Sequence, residues 1–100
     1  MSSTIALPSV LNADVAVQAQ AQLRQQIQAL PQGTPVVLDA AAVQSFDSAG
    51  LALLLACRRV ALARGSRLQV QGWPSSLRAL AQVYGVMPLL DPDSAEAAAA

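Results

Sequence analysis

The chain has 100 residues, of which six are basic and six acidic, so its formal net charge is zero. This length fits one domain with one core, and a neutral chain with three aromatic residues lacks the basic field and stacking platforms of a nucleic-acid-binding protein. No apolar run reaches the ~20 residues that span a bilayer, and the start lacks the pattern of a secretory signal, so a cytoplasmic domain without membrane insertion is expected.

The N-terminal part predicts a hairpin followed by a helix. Short apolar pieces at residues 5–7 and 10–11 flank Pro8. We expect them to pair as a hairpin at the edge of a sheet. Such an edge can also pair with a second copy of the chain, so the oligomeric state stays open. Asn12 is the predicted N-cap of a helix that continues to about Leu30. Its buried face is predicted from apolar residues spaced by threes and fours, namely Val15, Ala19, Leu23, Ile27 and Leu30.

The middle of the sequence predicts a strand and a long helix. "VVLD", residues 36–39, is a continuous apolar run that ends in one acid, and such runs are typical of strands buried on both faces. The helix begins at Ser48 or Ala49 and ends at Gly65, a residue type suited to the position after a helix.

The last part of the sequence repeats this order. "SRLQVQG" alternates and predicts a strand, and "WPSSLRALAQVYGV" predicts a helix that Gly85 ends. "MPLL" is expected to add a short strand or a turn. The alternation as a whole predicts an α/β fold with a mainly parallel sheet and helices packed against it. Residues 1–90 are expected to form one domain, and residues 91–100 a poorly anchored tail.

The turn "FDSAGL" before the long helix carries the candidate site. Ser48 is its predicted N-cap. A helix N-terminus also tolerates a negative group, so a phosphoryl group on Ser48 fits this place, although Asp47 would repel it. Gly50 costs a helix about 1 kcal/mol relative to alanine, which suggests a steric reason such as the close approach of another backbone.

One face of this helix is a candidate contact surface. It is small at three of its four positions, and Arg59 is available there for a carboxylate. The face consists of Ala52, Ala56, Arg59 and Ala63. A partner helix or loop could lie close against this face. The alternative is that these residues are ordinary helix formers that face water, and the spacing fits that alternative at least as well.

Enzyme chemistry has little support in the sequence. The chain has no histidine, so it lacks a Ser-His or Cys-His base and the usual metal ligands. Cys57 falls in the middle of a helix, where a buried filler is expected rather than a nucleophile. No glycine-rich phosphate loop is present. We therefore expect no catalytic residue, cofactor or metal.

The order of elements, the strand "VVLDAAAV", the turn "FDSAGL" and the segment "GWPSSLRALAQVYGV" together resemble a STAS domain, the fold of anti-sigma-factor antagonists and of the cytoplasmic tails of sulfate transporters. The resemblance extends from Ile5 to about Leu90. It matches Ser48 to the serine that a partner kinase phosphorylates in sigma-regulatory members. It implies that a partner meets the turn and the helix face, that is Phe46, Asp47, Ser48, Ala49, Gly50, Ala52, Ala56, Arg59 and Ala63.

A narrower resemblance is to the small MlaB-type STAS subunit of the Mla phospholipid transporter, carried by "GLALLLA" and "RGSRLQVQGWPSSLRALAQVYGV". It implies a non-catalytic subunit that binds the ATPase of an ABC transporter, at the inner face of the cytoplasmic membrane through that partner. The alternative is an anti-sigma-factor antagonist that binds a serine kinase and is released when Ser48 is phosphorylated. A generic interaction module is the third hypothesis.

Overall fold

The computed structural model describes residues 3–91, and of Ser3 only the backbone. Of the predicted tail, residues 92–100 lie outside the described residues. Strands and helices alternate along the described part in the order β1 (Ser3–Ala6), β2 (Val10–Leu11), α1 (Ala16–Gln28), β3 (Val36–Asp39), β4 (Ser45–Phe46), α2 (Ser48–Ala63), β5 (Leu68–Gln71), α3 (Ser75–Val83) and α4 (Met87–Leu90).

The main sheet has the order β1-β3-β5, and both of its strand pairs are parallel. The register places Ile5, Leu38 and Val70 side by side across the three strands. The predicted parallel sheet is therefore confirmed. Parallel neighbours need a crossover connection, and α1 and α2 supply the two crossovers.

The predicted N-terminal hairpin is wrong. β1 pairs with β3, whereas β2 pairs in parallel with the short strand β4, and Leu11 lies opposite Phe46. Pro8 and Ser9 separate β1 from β2, and each strand finds its partner far along the chain instead of in its neighbour. β4, which the sequence patterns did not predict, therefore brings the start of α2 next to the end of β2.

One face of the main sheet is buried. Its inward residues join residues of all four helices in a single core; they are Ile5, Val36, Leu38, Leu68 and Val70. The alternate positions are exposed or half-buried, and they include Val37 and Asp39 of β3. The expectation that β3 is buried on both faces is therefore wrong, because the helices cover one face of the sheet and leave the other open.

α1 is shorter than predicted. It begins at Ala16 after an N-cap residue, Val15, that makes no side-chain capping bond. Asn12 instead forms a local turn, in which its Oδ1 accepts a hydrogen bond from the backbone N–H of Asp14 at 3.1 Å. The predicted buried stripe is confirmed at its centre, where the inward residues are Ala19, Leu23 and Ile27.

The C-terminal half follows the predicted order up to Gly85. Gly65 and Gly85 follow α2 and α3 with φ angles of 70° and 71°, in the left-handed region that commonly ends helices. "MPLL" forms α4 rather than a strand or an open turn. Met87 and Leu90 of α4 are buried in the core, so this short helix closes the domain beside α2 and β5.

Candidate functional site

Asp47 is the N-cap of α2, and Ser48 is the first residue of the helix. Asp47 has extended backbone angles, and its Oδ1 accepts a hydrogen bond of 2.8 Å from the N–H of Ala49. The prediction that Ser48 caps the helix is therefore wrong. Both residue types are good caps, but only the extended residue before the first turn can direct its side chain back over the free N–H groups.

The second carboxylate oxygen of Asp47 binds another segment. Oδ2 accepts a hydrogen bond of 3.2 Å from the N–H of Ala13, in the loop between β2 and α1. The backbone N–H of Asp47 in turn donates to the carbonyl of Leu11 at 3.3 Å. Asp47 thus fastens the start of α2 to the loop that precedes α1, and the beginnings of the two helices lie side by side.

Gly50 lies against the backbone of Leu11, a residue with no exposed surface. A Cβ atom at Gly50 would overlap the carbonyl oxygen of Leu11 and would lie 3.0 Å from its Cβ. This contact is the close backbone approach that the sequence suggested, and it explains why the first turn of α2 contains a residue that weakens helices.

Ser48 is exposed at the start of α2, between Asp47 and the contact of Gly50 with Leu11. Its hydroxyl forms no hydrogen bond within residues 3–91, because Asp47 already caps the helix. Phe46 and Ala49 on either side of the turn are half-buried, and Phe46 packs against the core. Of the predicted turn residues, Asp47 and Ser48 are therefore the accessible ones.

The outward side of α2 forms a stripe that begins at Ser48. Its members recur at spacings of four and three, as one face of a helix requires. We call it the α2 stripe, and it comprises Ser48, Ala52, Leu55, Arg59 and Leu62. Leu55 is half-buried and Leu62 is 48% exposed.

Three residues of α2 lie on a different face from the one that the sequence predicts. Ala56 was expected to be open, but it is 6% exposed and lies at the groove between α2 and α1. A helical wheel drawn from the sequence puts Leu55 and Leu62 on the same side as Leu51 and Leu54, yet both belong to the outward α2 stripe. Their spacing from Ser48 was the available signal, because residue 55 lies two helical turns beyond residue 48. Ala63 is exposed as expected.

Cys57 is a core residue, as predicted. It is 2% exposed, and desolvation by burial raises the pKa of its thiol from 9.0 to about 11. The thiol is therefore protonated at neutral pH and shielded from solvent, which is the opposite of a reactive cysteine.

The carboxylate of Asp39, like that of Asp47, accepts a hydrogen bond from the backbone. Asp39 ends β3, and its Oδ1 accepts a hydrogen bond of 3.0 Å from the N–H of Ala41. Within residues 3–91, no three carboxylate or thiol side chains come together in a group that could hold a metal ion. None of the helices in the same range is long and apolar enough to cross a membrane.

A family model described as "Mlab, STAS domain" matches residues 3–91. The chain belongs to the STAS domain family. A solved structure with a similar fold is the crystal structure of a sulfate transporter family protein from Wolinella succinogenes, with a TM-score of 0.71 and 18% sequence identity. The match covers 92% of this STAS domain and 73% of that chain. No curated protein matches the sequence.

The predicted STAS fold is thus confirmed. Its β2-β4 pair, its α2 N-terminus and its core are the parts that shape the candidate site, and the site contains a free hydroxyl and a mostly small, weakly charged surface. Arg59 is the charged side chain on the exposed face of α2, and arginine, unlike lysine and the acids, is enriched where two proteins meet.

Proposed function

We propose that this STAS domain is a non-catalytic subunit that binds the ATPase of an Mla-type phospholipid ABC transporter. It supports the assembly and activity of that system in maintaining outer-membrane lipid asymmetry. The chain works in the cytoplasm, at the inner face of the membrane through its partner. The description of the matching family model supports this assignment over other STAS roles.

The observation that carries the proposal is the exposed α2 stripe with Ser48 at its head. Ser48 and Ala52 are small, so another backbone can come close to this end of the helix. Leu55 and Leu62 offer apolar contact, and Arg59 offers a charge at the edge. Among these residue types, arginine is the one enriched in protein interfaces, and the small side chains of Ser48 and Ala52 contribute room for close approach rather than contact area.

The non-catalytic part of the proposal follows from the side chains at the site. The hydroxyl of Ser48 has no basic partner within hydrogen-bonding distance in the described residues. The sequence contains no histidine, and the thiol of Cys57 is buried and protonated. A nucleophile needs an adjacent base or a lowered pKa, and neither serine nor cysteine has one here.

Co-expression with the ATPase encoded beside this protein tests the proposal. The wild-type domain is expected to co-purify with the ATPase, whereas Ser48→Arg places a long charged side chain at the close-approach end of the stripe and should prevent it. Ser75→Arg is the matched control, because Ser75 is also an exposed first residue of a helix, α3. It should co-purify like the wild type. Failure of the wild type to co-purify, with lipid transport intact after gene deletion, would reject the proposal.

A second function is favoured by the free hydroxyl of Ser48. An anti-sigma-factor antagonist needs a serine that a kinase can reach, and this one is exposed and not engaged by the helix cap. Asp47 already accepts the N–H of Ala49, so a phosphoryl group here would meet a carboxylate instead of a free donor. The carboxylate of Asp47 would repel that phosphoryl group, and the added charge on the exposed turn would oppose contact with an apolar or acidic partner surface.

Intact mass after incubation with a cognate serine kinase and ATP separates the two functions. The signalling function requires the mass of one phosphate on the wild type and none on Ser48→Ala. The transporter function predicts no added phosphate, together with co-purification of the ATPase.

A further inference from the structure

A second feature adjoins the α2 stripe, a groove between α1 and α2. We call it the basic groove, and its polar lining consists of Gln20, Arg24 and Gln28 from α1, Arg59 from α2 and Arg64, the C-cap of α2. Ala56 lies at the same groove. The charged side chains that line it are all arginines.

The two helices run side by side in the same direction along the groove. Ala13 and Asp47 join their beginnings, and the Nη2 atom of Arg64 donates a hydrogen bond of 2.7 Å to the carbonyl of Leu30 at their ends. Gln20 and Gln28 are eight residues apart, so the α1 wall of the groove is about 12 Å long at 1.5 Å per residue. The groove is thus elongated rather than a single-ion pocket.

Charge interactions within their own helices do not account for Arg24 and Arg59. Cations stabilise a helix in its last turn, but neither arginine lies in the last turn of its helix. A glutamate four residues away would also stabilise an arginine on a helix, yet Arg24 has glutamine at both such positions, Gln20 and Gln28. Neither α1 nor α2 contains a carboxylate that would offset the charge of these arginines within its own helix.

Both guanidinium groups are also accessible. Arg24 and Arg59 are exposed, and neither forms an ion pair with a carboxylate of residues 3–91. Arg64 differs, because its hydrogen bond to Leu30 holds it between the helix ends. Two unpaired guanidinium groups on one concave surface are suited to binding carboxylates, which they can hold through paired hydrogen bonds.

We propose that the basic groove receives an acidic segment of the partner ATPase, with carboxylates that reach Arg24 and Arg59. This proposal rests on the proposed function. It adds that the partner is acidic at a second part of the interface, outside the Ser48 turn. Arg59 belongs to both the groove and the α2 stripe, so one partner can cover both surfaces.

The shape and charge of the groove favour a protein segment over other anions. A groove about 12 Å long, walled by glutamine amides, offers hydrogen bonds along a peptide in addition to its charges. Binding to an anionic membrane surface commonly uses about four to eight basic residues on one face, whereas this groove has two arginines without a carboxylate partner among residues 3–91.

Lysine substitutions give a direct test, because the sequence contains no lysine. In separate variants, Arg24→Lys and Arg59→Lys place a single reactive side-chain amine in the groove, and a carbodiimide joins it to any carboxylate in contact. Both variants are expected to cross-link to the same acidic segment of the ATPase, identified by mass spectrometry. Arg78→Lys is the control, since Arg78 is exposed on α3 outside the groove. It should give no cross-link to that segment.

Affinity measurements complete the test. Arg24→Glu and Arg59→Glu should each raise the Kd for the ATPase about tenfold, as expected for the loss of a close charge pair across an interface. Gln20→Glu should weaken binding several-fold without lowering the urea midpoint, because it neutralises Arg24 within the helix. Arg78→Glu should bind like the wild type.

The outcomes distinguish this proposal from the proposed function. If both glutamate variants bind as tightly as the wild type while Ser48→Arg still breaks the complex, the groove proposal is overturned and the proposed function stands. If the wild type does not bind the ATPase at all, both fail. If the glutamate variants instead lose binding only to vesicles of phosphatidylglycerol and phosphatidylcholine, the groove binds a membrane and the proposal is also overturned.

Discussion

Gly50 of α2 faces the carbonyl oxygen of Leu11 so closely that no Cβ atom fits between them. This contact joins the first turn of α2 to the end of β2, and Asp47 strengthens the same junction with hydrogen bonds to both segments. The exposed Ser48 therefore stands on a part of the fold that packing and hydrogen bonds hold in place. A partner would meet a preformed surface, which lowers the entropy lost on binding.

Gly50→Ala is expected to destabilise the domain, although the same change in an ordinary helix is stabilising. Alanine gains about 0.5–1 kcal/mol of helix propensity. The overlap with Leu11 should cost more, about 1–3 kcal/mol net, as for other overpacked sites. The urea midpoint measures the change.

Ala52→Gly is the companion variant for this prediction. Ala52 is exposed two residues further along α2, and the change to glycine should cost about 1 kcal/mol through propensity alone. Glycine to alanine at position 50 and alanine to glycine at position 52 would then both lower the free energy of unfolding. A Gly50→Ala variant that is more stable than the wild type would show that the contact with Leu11 is easily relaxed.

Asp47→Ala should lower the free energy of unfolding, whereas Ser48→Ala should leave it nearly unchanged. Loss of a helix cap costs about 0.5–2 kcal/mol, and Asp47 also holds Ala13. The hydroxyl of Ser48 makes no hydrogen bond in the described part of the chain, so its removal should cost less than about 0.5 kcal/mol. Urea unfolding of both variants decides which residue is the cap. If Ser48→Ala lowered the free energy of unfolding as much as Asp47→Ala or more, the structure would be contradicted.

Much of the fold could be predicted because its signals are local. The apolar run of β3 and the glycines after α2 and α3 gave the right elements, since each depends on residues next to one another. Strand partners depend on distant residues instead. Nothing near Ile5 indicates that it lies beside Leu38, so the hairpin prediction failed.

The candidate site was also predictable only where its signals are local. The sequence places Asp47, Ser48 and Gly50 at the start of a helix, and it shows that Gly50 needs a steric reason. It does not decide between two adjacent good caps, because the decision depends on Ala13 and Leu11 from another part of the chain. The basic groove was missed for the same reason, since it forms only when α1 lies beside α2.

Gly72→Ala should destabilise the domain more than Gly85→Ala does. Both glycines have φ near 70°, where a side chain costs about 1–2 kcal/mol. A Cβ at Gly72 would also lie 2.7 Å from Oδ1 of Asp39 and 3.2 Å from the N–H nitrogen of Ala41, whereas nothing lies within 4 Å at Gly85. The difference between the two urea midpoints isolates the crowding at the ends of β3 and β5. Equal midpoints would mean that the Asp39 side chain simply moves aside.

Cys57 should make the stability of the domain fall at alkaline pH. Burial raises the pKa of the folded thiol from 9.0 to about 11. Between these values the unfolded chain releases the thiol proton while the folded chain keeps it, so the unfolded state binds fewer protons and the free energy of unfolding decreases as pH rises. The stabilising contribution is fully present below pH 9 and is lost as pH rises towards 11.

Urea unfolding from neutral pH to the upper end of this window measures the slope of the free energy of unfolding against pH. Cys57→Ala is the control, because it removes the thiol and keeps every other ionisable group. The variant starts from a lower stability, since it loses buried volume, but its slope should be shallower than that of the wild type. Equal slopes in the two proteins would show that the thiol does not titrate differently in the folded and unfolded states.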